Sequence, residues 1–307
     1  MYFNKRILLE AARTDLPLLE RFNYLGIYSN NLDEFFRVRV ASLRRIVGSL
    51  EPIPTHERRK AKETLRTIIR LNHEYSALFD RTFADLLQSL NEAHIHIINE
   101  QELTTDQEDE VLSFFMDKIN GITNPIFINS PTFRPEQHLK ESLYLVVVLW
   151  HEQGEEELAH DVALLEVPTK ELGRFLRLRD KDGESYLMFL DDVLRYCLPY
   201  IFIGREYAQY EAYTFKFTKD AEFELEQDLR SSVIEMVSRG VKRRGRGEAV
   251  RVVYDEALSP EILRRLSDMA ELNYRDMRIG GGRYHNMRDL MTLPDCGRPG
   301  LRFPKQE

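Results

Sequence analysis

The first hundred residues carry the spacing of apolar side chains that is typical of α-helices. Apolar positions recur every three or four residues over 3–12, over 17–27 and again after Asn30 and Asn31 to about residue 46. The segment 55–93 keeps this spacing without a glycine or proline, so it predicts one helix roughly 55–60 Å long. Such a helix cannot bury its apolar stripe alone, so we expect an antiparallel helical bundle over residues 1–100.

Beyond residue 100 the pattern changes to short runs of β-branched and aromatic residues. Thr105 with Glu108 predicts a capping box for one more helix, to about residue 119. A turn at 180–183 predicts a hairpin, and Ser259 followed by Pro260 predicts a helix start. Strands are predicted at 126–128, 144–150, 162–167, 175–178, 186–190, 212–217 and 250–254, with a further helix at 224–238.

The predicted fold class is therefore α+β, with the helical bundle followed by a mixed α+β head domain over residues 101–300. Residues 301–307 contain a proline and no periodicity, which is typical of a linker that has been cut.

Composition places the chain among globular proteins. Its 307 residues suffice for two cores, and 43% of them are hydrophobic. No apolar run approaches the roughly 20 residues of a membrane span, and no secretory leader follows Met1. Cys197 and Cys296 are too few for a disulfide framework, and the histidines lack the spacing of a metal site. We expect a cytoplasmic protein, with peripheral association with a membrane left open.

The net charge of −8 argues against a polyanion binder as a whole, but the basic run 242–246 is a local exception. Guanidinium groups pair with phosphate oxygens in a bidentate way, so Arg243, Arg244 and Arg246 could contact polyphosphate. The alternative, which we favour on the residues alone, is a solvated loop between a helix and a strand.

Three segments together resemble the polyphosphate kinases of bacteria. The first is 24–35 (YLGIYSNNLDEF) with the following 38–41 (VRVA), the second is 218–222 (TKDAE), and the third is 281–286 (GGRYHN) followed by Asp289. Each segment alone is weak, whereas three in the family's order and approximate spacing are specific. The resemblance covers essentially the whole chain.

The resemblance implies a helical N-terminal domain, a head domain used in dimer contact, and two phospholipase-D-like C-terminal domains. It also implies reversible transfer of the terminal phosphate of ATP to inorganic polyphosphate through a phosphohistidine, with Mg²⁺. We expect the catalytic histidines and the metal site to lie beyond residue 307, so this chain alone is expected to be inactive.

Asn31 is the main candidate for a ligand contact. Asn30 and Asn31 precede an apolar run, so one of them is expected to cap a helix, with Asp33 and Glu34 in its first turn. A carboxamide can also pair with the N1/N6 edge of adenine. Asn31 matches the asparagine that contacts adenine in the family, which implies the same role here.

His285 has two interpretations. A glycine triplet at 280–282 precedes it, and glycines let backbone N–H groups approach a phosphate, as a phosphohistidine would need. The segment lacks the strand–loop–helix order of a P-loop, and the family's nucleophile lies downstream. We therefore expect His285 to fix an interdomain surface.

Three functions remain open on the sequence. The first is the ATP-binding and dimerising half of a polyphosphate kinase. The second is a non-catalytic nucleotide- or polyphosphate-binding or dimerisation module. A nucleic-acid-binding protein ranks last, because the chain is acidic and no nucleic-acid motif accompanies its basic run.

Overall fold

The computed structural model describes residues 1–49, 52–151, 160–205, 207–219, 249–270 and 277–304. The predicted helix at 224–238 and the basic run with Arg243, Arg244 and Arg246 lie outside the described residues. None of the described helices is both long enough and apolar enough to cross a membrane.

Helices form the first part of the chain, as predicted. The 38-residue helix matches its predicted bounds, because its buried positions stay on one face from Ala61 to Leu90. Phe22 and Tyr28 of a preceding helix pack on its rings Phe83 and Phe79. The elements are α1 (Tyr2–Ala11), α2 (Leu18–Glu34), a π-helical stretch (Phe35–Val40), α3 (Ala41–Gly48) and α4 (Thr55–Glu92).

The predicted helix break at Asn30 and Asn31 is wrong. α2 continues through both residues and leads without interruption into the π-helical stretch. An asparagine inside a helix costs only about 0.5–0.7 kcal/mol relative to alanine. Buried side chains at three- and four-residue spacing, Leu25, Tyr28, Leu32 and Phe36, continue across the expected break. Their burial outweighs the local preference for a cap.

The second part contains two sheets. One has six strands in the order β2-β4-β3-β7-β8-β9, and the other has three in the order β1-β6-β5. Every predicted strand is present. The strands are β1 (Ile95–Ile98), β2 (Ile126–Phe127), β3 (Leu143–His151), β4 (His160–Glu166), β5 (Phe175–Lys181), β6 (Glu184–Phe189), β7 (Tyr207–Lys219), β8 (Ala249–Asp255) and β9 (Arg278–Gly281).

Short helices connect these strands: α5 (Thr105–Phe114), α6 (Pro135–His138), α7 (Thr169–Leu172), α8 (Leu190–Tyr196), α9 (Leu198–Ile201) and α10 (Pro260–Met269). A second π-helical turn extends α5 to Ile119, as the pattern predicted. Its capping box is formed by Thr104 and Gln107, one position before the predicted pair. The predicted hairpin is β5–β6, with Asp182 and Gly183 at positive φ in its turn.

β1 and β9 were not predicted. Both are four residues long, and each pairs in parallel with a strand distant in the chain, β1 with β6 and β9 with β8. The β9 sequence Arg-Ile-Gly-Gly has little intrinsic strand preference. These strands form because they pair with β6 and β8, and a pattern of nearby residues cannot reveal pairing with a distant strand.

The helices and the six-stranded sheet share one apolar core. Successive residues of β3 point to opposite faces: Val146 packs with the helices, and Val147 packs with α5 and α8. All seven residues from Leu143 to Leu149 are buried. The division into domains at residue 100 stays a prediction, but the helical part has no separate core of its own.

α2 approaches the 3₁₀ helix Met287–Thr292 closely at Gly26. A β-carbon at Gly26 would lie 2.6 Å from Met291 Cγ, 2.9 Å from Met291 N and 3.0 Å from Arg288 O. Two of these three atoms are backbone, which cannot swing aside as a side-chain tip can. The glycine therefore allows α2 to lie directly against the segment that follows the third signature motif.

Gly26→Ala tests this close approach. Helix propensity alone would stabilise the protein by about 1 kcal/mol, whereas overpacking against backbone costs about 1–3 kcal/mol. We expect urea denaturation to show a net loss of up to about 2 kcal/mol. The exposed Gln88→Ala on α4 is the control and should stay within about 0.5 kcal/mol. A more stable Gly26→Ala protein would contradict the contact.

Candidate functional site

A buried group of charged residues joins α2 to the six-stranded sheet. The carboxylate of Asp33 accepts a hydrogen bond from Lys216 Nζ of β7 and another, 3.1 Å long, from Arg251 Nη1 of β8. Lys216 Nζ also donates to Asn286 Oδ1 at 2.8 Å. We call these four residues the Asp33 bridge. It ties the helical part of the chain to the sheet through side chains remote in sequence.

Burial makes the Asp33 bridge energetically important. Lys216 and Arg251 are each 8% exposed. Desolvation lowers the pKa of Arg251, and the negative charge of Asp33 opposes that shift. The Arg251 guanidinium also lies 4.6 Å from the centre of the Phe36 ring. Two buried cations thus share one carboxylate, and its removal would leave both without a countercharge.

The three signature segments meet at this bridge. Asp33 belongs to the first segment and Asn286 to the third. Thr218, which begins the second, lies two residues beyond Lys216 on β7 and pairs with Arg251 across the ladder. Residues that were noted for resemblance in separate parts of the sequence are therefore in direct contact or adjacent in register.

A second buried network fixes the third segment. Arg174, 2% exposed, binds Asp191 through two hydrogen bonds of 2.7 and 2.9 Å. The same guanidinium donates to the backbone carbonyls of His285 at 3.0 Å and Asn286 at 3.2 Å. Asn286 has φ of 60°, a left-handed conformation that asparagine tolerates better than most residues. Arg174 thereby sets the direction of the Asn286 side chain.

Asp192 anchors the residues just before His285. Its fully buried carboxylate accepts from Arg283 Nη2 at 2.9 Å and from Tyr284 Oη at 2.6 Å. The Tyr284 ring stacks on Phe189 with 4.3 Å between centroids. Arg283 also binds Glu100, which lies between the helical and sheet parts of the sequence. The motif's Arg and Tyr are therefore structural supports for the segment.

His285 is half-buried, with its Nε2 atom shielded from solvent, and its ring is neutral. Desolvation lowers its pKa to about 4, although a hydrogen bond to the backbone of Tyr254 opposes the shift. The folded pKa lies below the roughly 6.5 of an unfolded histidine, so this residue's contribution to stability is lost as the pH falls from about 6.5 towards 4. Its ring faces Gly281, where an added β-carbon would lie 3.0 Å from His285 Cε1. Whether it fixes an interdomain surface stays a prediction.

Two spaces lie on either side of the Asp33 bridge. The inner cavity, between α2, α4 and the ends of β8 and β9, encloses about 700 Å³ including space open to solvent. The outer groove opens on the other side and shares Asp33, Lys216 and Asn286 with the cavity. The inner cavity is lined by Tyr28, Asn72, Asp80, Arg251, Gly281 and His285, among others. The outer groove is lined by Asn30, Arg37, Lys140, Lys170 and Arg288, among others.

Asn31 lines neither of these spaces. Residues of α2 are 100° apart around the helix axis, which turns Asn31 away from both Asn30 and Asp33. Its side chain is half-buried and makes no hydrogen bond within the part of the chain that the structure describes. The carboxamide is thus available, but the helix cap expected at this position does not form.

Asp33 has a role other than the one expected. Asp33 was expected in a first helical turn facing the helix dipole, but it lies near the end of α2 and carries the bridge. Arg251 flanks the basic run in the sequence, whereas it is buried in an ion pair with Asp33. Arg174, Asp191 and Asp192 were not singled out from the sequence. The signal available in the sequence was the acidic pair Asp191-Asp192, which directly follows the strand predicted at 186–190.

Metal ligands are not grouped within the described ranges. No set of three or more His, Cys, Asp or Glu side chains there could hold a metal ion. The described residues therefore do not fit a Mg²⁺ site. Cys197 and Cys296 are free thiols and are both buried.

Asp33→Asn tests the Asp33 bridge. The substitution leaves Lys216 and Arg251 buried without a countercharge. We expect the free energy of unfolding to fall by about 2–4 kcal/mol, somewhat less than for a fully buried pair because the Asp33 side chain is 21% exposed. Asp15→Asn, which breaks an exposed ion pair with Arg13, is the control and should leave the denaturation midpoint unchanged. Equal effects of the two substitutions would contradict the bridge's importance.

Comparison with known proteins gives matches over nearly the whole chain. The polyphosphate kinase N-terminal domain matches residues 1–98, and the polyphosphate kinase middle domain matches residues 106–293. Polyphosphate kinase from Yersinia pestis is 34% identical over 305 residues, and that from Escherichia coli K12 is 33% identical over 307. Each alignment covers 97% of this chain and 43% of the relative.

A solved structure has the same fold. The crystal structure of polyphosphate kinase from Porphyromonas gingivalis aligns with a TM-score of 0.78 and 27% sequence identity, covering 99% of this chain and 41% of that one. The chain thus spans less than half the length of the proteins it matches. With two consecutive domain models covering most of its residues, the chain belongs to the polyphosphate kinase family, of which it contains the N-terminal and middle domains.

Proposed function

We propose that this chain is the nucleotide-recognising and dimerising half of a polyphosphate kinase. The whole enzyme would reversibly transfer the terminal phosphate of ATP to inorganic polyphosphate through a phosphohistidine. Supporting this, the chain covers the N-terminal and middle domains and about 43% of the relatives' length. The remaining length of such a protein would supply the histidine and the Mg²⁺ site, so this chain alone would be inactive.

The observation that carries the nucleotide role is the free carboxamide of Asn31. A half-buried amide without a partner in the described part of the chain retains its full capacity to donate and accept. The N1/N6 edge of adenine offers the complementary acceptor and donor. α2, which is held in place by Gly26 and Asp33, would present this amide from a rigid element.

The outer groove supports a role in phosphate binding. Lys140, Lys170 and Arg288 reach it from separate parts of the chain. Lys140 and Lys170 are exposed and pair with no carboxylate among the described residues. In a chain of net charge −8, such a convergence of cations attracts a polyanion locally. The contact of Arg243, Arg244 and Arg246 with polyphosphate remains part of the proposal.

This chain's residues would act by binding and orientation. Phosphoryl transfer depends mainly on positioning and on electrostatic stabilisation of the transferred group. His285 would not transfer a proton, because its pKa lies near 4 and its Nε2 atom is shielded from solvent. No step is assigned to Mg²⁺ here. We also propose that the head domain mediates dimer contact and that the protein is cytoplasmic.

A second candidate is a non-catalytic nucleotide- or polyphosphate-binding module. The exposed lysines of the outer groove favour this module as much as the kinase, because ion pairing with phosphates needs no catalytic group. Sequence downstream of residue 307 discriminates the two. Phospholipase-D-like domains there would favour the kinase, and their absence would favour the module.

Calorimetric titration of ATP into this chain tests the role of Asn31. We expect weak binding by the wild type, and Asn31→Ala to weaken it about 5- to 100-fold, the range of one bidentate contact with a base. Asn31→Asp should weaken it at least as much, because a carboxylate cannot donate and repels the nucleotide's charge. Circular dichroism checks that each variant is folded.

Asn23→Ala, also on α2, is the matched control and should bind ATP as the wild type does. Unchanged affinity of both Asn31 variants would remove the adenine role from this residue. No binding by the wild type even at millimolar ATP would mean that the chain does not recognise the nucleotide by itself.

A further inference from the structure

Four polar atoms of residues that line the inner cavity are buried and have no hydrogen-bond partner among the described residues. They are Tyr28 Oη, Asn72 Oδ1, Arg251 Nε and His285 Nε2. Tyr28 and Asn72 are only 3% and 2% exposed. An unsatisfied buried group of this kind costs roughly 1–3 kcal/mol. Because the four residues come from different elements and line one space, the cavity has the character of a binding site for a polar ligand.

Within the cavity wall, the Asp33 bridge by itself carries an excess positive charge, whereas Asp80 adds a further carboxyl to the same wall. Lys216 and Arg251 share one carboxylate, that of Asp33, so the buried group carries one positive charge in excess. The unpartnered Nε–H of Arg251 is a charged donor, and a hydrogen bond to it is roughly twice as strong as a neutral one. An anion in the cavity would pair with this donor and offset the cost of burying the cation.

The same wall also contains acceptors. His285 donates one ring N–H to the backbone of Tyr254, which leaves Nε2 of the neutral ring as an acceptor. Asp80 is a second carboxyl facing the cavity, and desolvation, supported by the charge of Glu256, raises its pKa. A fully deprotonated anion would meet repulsion from these groups. An anion that keeps a hydroxyl can donate to them.

Hydrogen phosphate combines both properties, because its P–O⁻ oxygens accept and its P–OH group donates. Sulfate has the same size and shape but carries no proton near neutral pH. The glycines at 280–282 leave the rim of the cavity free of side chains, and the space is ample for one phosphate group. The chemistry of the wall therefore discriminates between two otherwise similar anions.

We propose that the inner cavity binds a protonated oxyanion, hydrogen or dihydrogen phosphate, either as free inorganic phosphate or as the terminal group of a phosphate chain. The contacts are Arg251 Nε–H and Tyr28 O–H to phosphate oxygens, and P–OH to Asn72 Oδ1, His285 Nε2 or Asp80. This site is separate from Asn31, and the proposal does not depend on nucleotide binding there.

Titration of the 307-residue chain with phosphate, sulfate and tripolyphosphate tests the site. We expect phosphate to bind at least about 10-fold more tightly than sulfate, because the lost donor leaves buried acceptors unpaired. NMR of the histidine ring should show the His285 resonances moving with phosphate. If tripolyphosphate binds more tightly than phosphate, the ligand is the terminus of a phosphate chain. If phosphate binds more tightly than tripolyphosphate, the ligand is the free ion.

Tyr28→Phe is the decisive variant. It removes a hydroxyl that has no partner in the described structure, so folding should be unaffected or slightly stabilised. Phosphate affinity should fall about 3- to 10-fold. Tyr75→Phe is the matched control, because its hydroxyl is equally buried and unpartnered but does not line the cavity. Asn72→Ala provides a second variant within the wall and should also weaken phosphate binding.

Absence of phosphate binding at about 10 mM would overturn the proposal, since a built site should exceed that affinity. Equal binding of sulfate and phosphate would also overturn it, and so would phosphate binding that neither Tyr28→Phe nor Asn72→Ala changes. ATP affinity at Asn31 should be the same in Tyr28→Phe and wild type. A failure of this inference is therefore distinguishable from a failure of the proposed nucleotide role.

Discussion

The pairing of Asp33 with Lys216 and Arg251 is the interaction on which the rest of the structure depends. Burying two cations is costly, and the carboxylate on α2 supplies the countercharge that both of them share. The contact fixes how the helices lie on the sheet, because apolar packing alone is not directional. Gly26 permits the same helix to touch the backbone around Met291. Charge and close packing together determine one arrangement of α2.

The surroundings of the bridge explain why a functional site could form there. Arg174 and Asp192 hold residues 283–289 through hydrogen bonds. These bonds fix the orientation of the segment that carries His285 and Asn286. The bridge lies between the inner cavity, whose lining residues have buried polar atoms without partners in the described structure, and the outer groove with its exposed lysines. The same charged residues thereby serve stability and border both spaces. Asn31 lies on another side of the same helix, which would allow a nucleotide contact independent of both.

Much of the fold could be predicted from the sequence, because most elements are long and periodic. α4 and β3 are examples, since their apolar residues alone indicate their type and extent. The errors arise where distant contacts outweigh local preference. Asn30 and Asn31 resemble a helix cap, but the buried residues on either side keep α2 continuous. β9 exists through its pairing with β8. The three motifs indicated the family, whereas the meeting of Asp33, Lys216 and Asn286 could not be derived from spacing along the chain.

The central claim is that the helical part and the six-stranded sheet form one cooperative unit joined at the Asp33 bridge. Trp150, the single tryptophan, lies in β3 and packs against the shared core. Its fluorescence reports on the sheet, while far-UV circular dichroism is dominated by the helices. The account predicts that both signals follow one coincident transition in urea, with the same midpoint and slope. Two separate transitions, with the helices and the sheet unfolding at different urea concentrations, would contradict it.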